Sequence, residues 1–525
     1  MNKIYYFKPT DDFKYIQGKC DKIYARLFNG QFSKERVVLA FYPGFYDIKI
    51  KVGFFMEVIG LGLKPEDTII NNIMVEATFL PYHNALCNFD RMISNLTIDS
   101  DCIFAVSQAA SMRKVIINGN LYLSDNNGAG SGGCLVSCII KGKIYSGPQQ
   151  QYFLRDCIFA DFDNDNWNMV FVNCPNAPTV SWPIKQFTSV HDIKRKDKPQ
   201  LVSKDNRLYI SYNDNLISID KFYIPNDKDD DINIQTSLDN GYHLLFIANH
   251  FHFKKPLIVN NDNVFILGLG FPTLYPDNPD GILIINGNNC VISGLLFEAV
   301  DSSFHLIVNG NNNNLYDIYS RIGGHSNVKT HVETSIIING NNCFSENYWL
   351  WRADHSYGVG IDINVANHGI IVNGNDNVFY ALMVEHFLKY QTIFNGNNCK
   401  TIMYQSETPY EFTSQDQYKN GNVNGYSSYK VADNVDKHVA VGLGIYSVFL
   451  KAPLWLDMAI ETPLKKDIYF KHLVILELGP NRGIHHVIND IEGISKNKIM
   501  RYVLEYPKKL LVAKVNATIK HIFEV

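Results

Sequence analysis

Pairs of apolar residues followed by Asn-Gly-Asn recur five times in the second half of the chain. The motif asparagines are Asn286, Asn309, Asn339, Asn373 and Asn395. Successive copies are separated by 23, 30, 34 and 22 residues. A unit of about 22 residues, lengthened in places by inserted loops, is typical of a coil made of short strands and sharp turns. The pattern therefore predicts a parallel β-helix.

In a stack of coils, equivalent residues lie above one another at the spacing of neighbouring strands, about 4.8 Å. The motif asparagines should then form a hydrogen-bonded ladder, because each side-chain amide can both donate and accept. Four residues after each of them come Cys290, Asn313, Cys343, Asn377 and Cys399. We interpret the cysteines of this column as buried packing residues rather than redox or metal-binding groups.

The same register predicts two further columns on the strand that follows each motif. Eleven residues after the motif Asn come Phe297, Ser320, Leu350, Val384 and Ser406, which we expect to face the core. Twelve residues after it come Glu298, Arg321, Trp351, Glu385 and Glu407. Strand alternation sends this second column to the opposite face. We predict that it faces solvent and forms a groove.

The first half of the chain repeats the outline of the second. A Gly-Leu-Gly turn at residues 60–62 recurs at residues 268–270 after similar apolar runs. We therefore predict two tandem β-helices, at residues 1–190 and 241–425, joined by a polar connector at 191–240 whose charges are solvated. Residues 426–525 return to apolar alternation and should form β-strands that pack on or cap the solenoid.

Composition narrows the possible partners. Lys plus Arg number 48 against 52 for Asp plus Glu, a net charge of −4. With no basic stripe, we expect no nucleic-acid partner. No apolar stretch is long enough to cross a bilayer and no signal peptide is visible, so we expect no membrane association and leave an extracellular or virion-associated location open. The 10 cysteines include no Cys-x-x-Cys pair. The one Gly-x-Gly-x-x-Gly match, at residues 128–133, opens no helical pattern and is interpreted as a flexible loop, so we expect no metal and no cofactor.

Reactive side chains are densest on three consecutive coils. Glu385 and Glu407 share a register position, so their backbones should lie one strand apart and the pKa of one carboxyl should rise. Such a pair suits glycoside hydrolysis, in which one carboxyl donates a proton and the other serves as base or nucleophile. Asp354, on the preceding coil, is a third candidate. The predicted catalytic residues are therefore Glu407, Glu385 and Asp354.

The side chains around these acids predict a sugar-binding surface. Trp349 and Trp351 share a strand face, and their rings could stack on sugars. Arg and His side chains would orient neighbouring groups. The expected substrate-binding residues are Trp351, Trp349, Arg352, His355, His386 and Gln405. The alternative interpretation is a salt-bridged outer face that performs no catalysis.

Segments such as Trp351-Arg352-Ala353-Asp354-His355 and Tyr404-Gln405-Ser406-Glu407 resemble a family of secreted bacterial proteins. Members of this family, often labelled coagulation factor 5/8 type domain proteins, have two tandem pectate-lyase-like β-helices. The resemblance covers most of the chain and implies an all-β fold, a right-handed parallel β-helix of the pectate-lyase type. The layout is also similar to that of exo-β-1,3-glucanases built from paired β-helices, which implies a polysaccharide or oligosaccharide as partner.

Two hypotheses follow. The first is a carbohydrate-active β-helix protein, a glycoside hydrolase that uses the paired carboxylates of the second β-helix. The alternative is a non-catalytic structural or glycan-binding β-helix, for example of a virion surface or fibre. The Asn-, Ile- and Lys-rich composition, which would suit an AT-rich genome such as that of a large virus, favours the alternative.

Overall fold

The computed structural model describes residues 4–79, 82–179, 182, 185–226, 229–479, 482–491, 493–496, 498–507 and 515–516. Its regular structure is almost entirely β. The described residues contain two α-helices, Phe13–Leu27 and Asp231–Asp239, and three short 3-10 helices, Pro65–Asp67, Ile219–Lys221 and Gln415–Gln417. None of these helices is long and apolar enough to span a bilayer.

The first β-helix is one sheet of 13 strands. Its main row of parallel strands is Ile4–Phe7, Val37–Phe41, Met56–Gly60, Arg91–Ile98, Ala110–Ile117, Cys134–Val136, Ile139–Arg155, Ile158–Val172 and Phe187–Val190. The other four strands are Gly44–Lys51, Thr68–Met74, Cys102–Ile103 and Leu121–Tyr122. Residues Ile16, Cys20, Ile23 and Leu27 of the first α-helix are buried against this sheet, so the helix closes the start of the solenoid.

The second β-helix has two sheets, which we call the inner and the outer sheet. The inner sheet has 14 strands: Phe222–Tyr223, His243–Ile247, His250–Phe253, Phe265–Leu269, Thr273–Pro276, Val291–Glu298, Asn314–Ile322, Phe344–Arg352, Val378–Glu385, Cys399–Glu407, Lys437–Ser447, Asp467–Glu477, Ile499–Tyr506 and Val515–Asn516. The outer sheet has nine: Leu257–Val259, Leu283–Ile285, Asp301–Val308, Thr330–Ile338, Asn364–Val372, Thr392–Phe394, Tyr429–Val431, Trp455–Glu461 and Gly483–Ile488.

The segments that flank the predicted second module also form β-strands. Strands after residue 425 continue the inner and outer sheets in parallel, and Ile499–Tyr506 then pairs antiparallel at the end of the stack. Before it, the connector forms a three-stranded antiparallel sheet of Gln200–Lys204, Arg207–Tyr212 and Asn215–Ser218. A small hairpin, Lys419–Asn420 with Val423–Asn424, projects from a later loop. The domain boundaries at 190, 240 and 425 stay predictions.

One expectation for the connector is wrong. Its charge run was predicted to be solvated, yet Lys198 is buried and its ammonium lies 2.9 Å from Oδ2 of Asp317. The cause is that the connector packs on the inner sheet, where the hydroxyls of Tyr212 and Tyr316 are 3.5 Å apart. A Lys in such a place requires a buried acidic partner.

The asparagine ladder is confirmed. The side-chain amide of each motif Asn donates to the side-chain oxygen of the preceding one at 2.7–2.8 Å, from Asn260 through to Asn395. The neighbouring column is also buried as expected. Its three thiols alternate with Asn313 and Asn377, whose side-chain oxygens accept the backbone N–H groups of Cys290 and Cys343.

The register of the second column is confirmed, but its exposure is not. Glu298, Arg321, Trp351, Glu385 and Glu407 are paired strand by strand along the inner sheet. The prediction that they face solvent is wrong, since each is at most 8% exposed. The first β-helix packs on this face and turns the expected outer groove into an interface between the two solenoids.

Buried ion pairs join the two β-helices across that interface. The guanidinium of Arg113 lies 2.8 Å from Oδ1 of Asp317 and also contacts the carboxylate of Glu346. Arg155 reaches the same Glu346. Removing one partner from such a network leaves an uncompensated buried charge, which is strongly destabilising. The network therefore fixes how the two solenoids face each other.

Candidate functional site

A cavity of about 110 Å³ lies where the inner-sheet strands ending at Arg352, Glu385 and Glu407 meet the first β-helix. The second β-helix contributes Trp351, Asp354, His355, Glu385, His386, Glu407 and Tyr410 to its wall. The first contributes Leu86, Cys87, Phe89, Gln108, Ser131 and Gln150. Neither solenoid alone encloses this space.

Glu385 is held by three N–H donors. The indole of Trp349 donates to Oε2 at 2.7 Å, and the amides of Gln405 and Gln108 donate to Oε1 at 2.6 and 2.8 Å. Burial raises the pKa of this carboxyl to about 7, and the nearby Glu407 adds to the rise. Glu385 is therefore fixed in orientation and close to its protonation midpoint at neutral pH.

Glu407 sits one strand further along, as the shared register predicted. The hydroxyl of Tyr410 donates to its Oε2, and the side chain of Gln150 forms a second hydrogen bond. Burial raises the pKa of Glu407, while His386 and the Tyr410 hydroxyl oppose the rise. Two buried carboxyls on adjacent strands cannot both ionise readily, so the site holds a proton between them.

Asp354 lies in the cavity wall in a different electrostatic setting. Its Oδ1 is 2.9 Å from Nδ1 of His355, 3.2 Å from the indole nitrogen of Trp351 and 3.9 Å from Nε2 of His386. Burial would raise its pKa, but the two histidines hold it well below its usual range. Burial would lower the pKa of His355, but its interactions with Asp354 and Cys87 raise that pKa to about 10. Asp354 is thus a permanent anion that anchors cationic imidazole.

Three of the predicted substrate-binding residues do not reach the cavity. Trp349 is only 1% exposed and packs on Phe89, with ring centroids 4.4 Å apart. Gln405 is buried beneath Glu385. Arg352 points the other way, because it follows Trp351 directly and strands alternate. It bonds to Glu411 at 2.9 Å and to backbone carbonyls. The structure therefore places these three side chains outside the cavity wall, two of them holding Glu385, and their part in substrate binding stays a prediction.

The other predicted residues are brought together as expected. Trp351, His355 and His386 line the cavity beside the acids. His386 adopts a left-handed backbone (φ 66°) at the end of its strand, an unfavourable conformation for a non-glycine residue, and its Nδ1 donates to the carbonyl of Thr408 at 2.9 Å. That bond fixes the tautomer and leaves Nε2 toward Asp354.

Sequence reasoning missed the wall supplied by the first β-helix. Ser131 donates to the side-chain oxygen of Gln108 at 2.9 Å, and Gln108 donates onward to Glu385, giving a polar chain across the interface. Gln150, the middle residue of three consecutive glutamines, also lines the cavity. Nothing local marks Gln108 or Ser131, since their partner lies in the other solenoid.

The fold and the paired buried carboxylates define a carbohydrate-active hydrolase of the β-helix class. Residues 222–407 match the LAM55 pectate lyase-like domain. The chain is 33% identical over 513 residues to an exo-beta-1,3-glucanase of Streptomyces sp. (strain SirexAA-E / ActE), covering 91% of this chain and 84% of the relative. The chain therefore belongs to the LAM55 pectate-lyase-like family of glycoside hydrolases.

Two solved structures agree with this assignment over nearly the whole chain. The structure of sacteLam55A from Streptomyces sp. SirexAA-E superposes with a TM-score of 0.92 at 32% identity, covering 97% of this chain and 98% of that one. A single-residue variant of sacteLam55A in complex with glucose also gives a TM-score of 0.92, at 31% identity, covering 96% and 98%. Both the fold and the tandem arrangement are thus those of a known glycoside hydrolase.

Proposed function

We propose that this protein is an exo-acting hydrolase of β-1,3-linked glucans, in which Glu407 is the general acid and Glu385 the general base. The observation that carries the proposal is the pair of buried carboxyls on adjacent strands, both with raised pKa, at the wall of one cavity. We take the linkage and the exo mode from the Streptomyces relative, whose name is exo-beta-1,3-glucanase.

The two roles follow from the donors around each carboxyl. Three N–H groups point at Glu385, and donors of this kind stabilise the ionised form that must accept a proton. Glu407 has fewer donors and is the more exposed of the two, at 8% against 3%. A carboxyl that reaches further into the cavity and shares its neighbour's proton is placed to protonate a leaving group.

The reaction then uses this chain's own groups throughout. Glu407 donates its proton to the glycosidic oxygen as the bond to the anomeric carbon breaks, and Glu385 takes a proton from the water that attacks that carbon. Glu407 ends ionised and Glu385 protonated, and exchange with solvent restores the starting state. Trp351 forms part of the cavity wall that the sugar would contact, and the anion of Asp354 keeps His355 and His386 in place.

The size of the cavity favours action at a chain end. At about 110 Å³ it is well below the ~300–1,000 Å³ of ordinary small-molecule sites. A space of this size suits one terminal sugar, with loops of the first β-helix covering it. The alternative of a non-catalytic β-helix explains the asparagine ladder, but it gives no reason for two buried carboxyls beside a cavity.

Glu407→Gln and Glu385→Gln, assayed for glucose release from a β-1,3-glucan, test the proposal. Each variant should lose on the order of 10²–10⁴-fold in turnover, the usual contribution of a general acid or base. Glu477→Gln is the matched control, because Glu477 is also buried with a pKa raised to about 7 by burial yet lies outside the cavity. Full activity in both site variants would overturn the roles, and a parent that leaves β-1,3-glucan intact would overturn the substrate.

A further inference from the structure

A second concave surface lies on the first β-helix, outside the catalytic cavity. This groove has a volume of about 840 Å³. Its floor consists of Met74, Ile103, Tyr122 and Tyr145, one from each of four successive rungs in register. With rungs about 4.8 Å apart, the floor is roughly 14 Å long. The rung spacing is close to the length of one pyranose ring, so the groove can follow several sugars.

Two tyrosines form the aromatic part of this floor. The rings of Tyr122 and Tyr145 are parallel to within 7°, with centroids 5.0 Å apart. Both side chains are half-buried, so each remains partly accessible to solvent. Paired rings of this kind combine an apolar body with a polar tip, which suits the mixed C–H and hydroxyl surface of a sugar.

Polar side chains flank the floor and are already held in place. Oδ1 of Asp101 accepts the backbone N–H of Asn120 at 2.7 Å, and Asp125 lies 3.2 Å from Nδ1 of His83. Asp163 follows Tyr145 in the register at the far end. Carboxylates accept hydrogen bonds from sugar hydroxyls, and their charge disfavours an acidic polysaccharide. The lining therefore fits a neutral glycan.

The groove and the catalytic cavity share their loops. The loop at residues 82–87 carries His83, which contacts the groove residue Asp125, and Leu86, which lines the cavity. Its backbone is bonded to the loop at residues 125–131 through Ala85 and Ala129 at 2.8 Å. Ser131 at the end of that second loop lines the cavity too. One pair of loops thus borders both sites.

We propose that this groove is a second, non-catalytic glycan-binding site that keeps a neutral β-1,3-glucan polymer on the protein. The identity of the glucan rests on the proposed function, whereas the groove itself does not. The groove binds several sugars of a long chain, and short oligosaccharides need only the cavity. Its loss should therefore weaken retention of polymer without slowing the cleavage of a trisaccharide.

The test compares the parent with Tyr122→Ala/Tyr145→Ala in affinity electrophoresis through gels containing soluble β-1,3-glucan. The double variant should need roughly tenfold more glucan for the same retardation, as expected for truncating two central aromatic contacts. Turnover of a β-1,3-linked glucose trisaccharide should stay within about twofold of the parent. Tyr15→Ala/Tyr242→Ala, which removes two exposed rings elsewhere, should change neither quantity.

A version with both tyrosines changed to Leu keeps an apolar floor and guards against misfolding. Unchanged retardation in both tyrosine variants would overturn the groove, even if the trisaccharide is cleaved. An equal loss of trisaccharide turnover would overturn it as a separate site. If the parent cleaves no β-1,3-glucan but is retarded by it in a tyrosine-dependent way, the groove stands and only the proposed catalysis fails.

Discussion

The indole nitrogen of Trp349 lies 2.7 Å from Oε2 of Glu385, and the two residues belong to neighbouring strands of the inner sheet. Trp349 does not line the catalytic cavity and is packed between Phe89 and Trp351. A buried ring from one strand therefore sets the orientation and the charge of the proposed base on the next. Positioning of this kind depends on both solenoids, because Phe89 belongs to the first.

Trp349→Phe tests that positioning through the pH dependence of kcat/KM. The indole donor stabilises the ionised carboxyl, so removing it should raise the pKa of Glu385 above its present value of about 7. A base of higher pKa is protonated at higher pH, and the acidic limb should move up by roughly one unit. Phe89→Leu keeps the donor while loosening the packing, and it should lower activity without moving the limb. Identical profiles for the two variants would contradict the assignment.

The stereochemical outcome tests whether Glu385 acts on water. As a general base, Glu385 takes a proton from the attacking water and forms no bond to the sugar. We therefore expect inversion, with the α-anomer of glucose released first from a β-linked glucan. Proton NMR during the first minutes of hydrolysis measures the anomer directly. Initial release of the β-anomer would show a covalent intermediate.

Cys87 offers a chemical test of the cavity wall. All 10 cysteines are described and unpaired, and Cys87 is the exposed one among them. It lines the cavity and bonds to His355. Iodoacetamide should label one thiol on the folded protein and block turnover of the glucan, whereas Cys87→Ser should be resistant. Peptide mass mapping identifies the site. Labelling at Cys87 with activity intact would place the reacting sugar elsewhere.

Arg113→Met tests the interface. Loss of the guanidinium leaves Asp317 and Glu346 buried without their partner, and we expect a cost of about 3–5 kcal/mol in unfolding free energy by denaturant titration. Lys419→Met, in an exposed pair with Asp416, should cost less than about 1 kcal/mol. A difference near zero between the two variants would contradict a stabilising interface.

The Arg113–Asp317 ion pair also predicts how the stability of the protein depends on pH. Arg113 and Lys198 hold the pKa of Asp317 well below its ordinary 3.8, against the effect of burial. A lowered pKa in the folded state stabilises the protein fully above pH 3.8, and this contribution is lost as the pH falls toward the lowered value. The difference in unfolding free energy between the parent and Arg113→Met should therefore narrow in strongly acidic buffer and stay constant near neutrality.

The repeat predicted the fold and the register because both are local properties of the chain. Stacking asparagines one rung apart also aligned Glu385 with Glu407, a relation that the structure confirms. Strand alternation alone would have predicted that Arg352 points to the opposite face from Trp351, because the two residues are consecutive. The predicted placement was wrong because all the reactive side chains of this segment were assigned to one face.

The cover over the acids could not be predicted in the same way. Gln108 reaches Glu385 across 277 residues, and no pattern in either stretch shows that the two will meet. A column of charged and aromatic residues looks the same in sequence whether water or another solenoid lies above it. The repeat therefore indicated where the acids would align, but only tertiary packing showed that they are enclosed.

The intervals between motif copies vary from 22 to 34 residues, yet the rungs still stack. The extra residues are accommodated in loops at the rim, and the distance between the two acids depends only on strand pairing. Such a scaffold tolerates insertions that reshape the entrance while leaving the reacting groups unmoved. Lengthening one of these loops would change the shape of the entrance without rebuilding the chemistry.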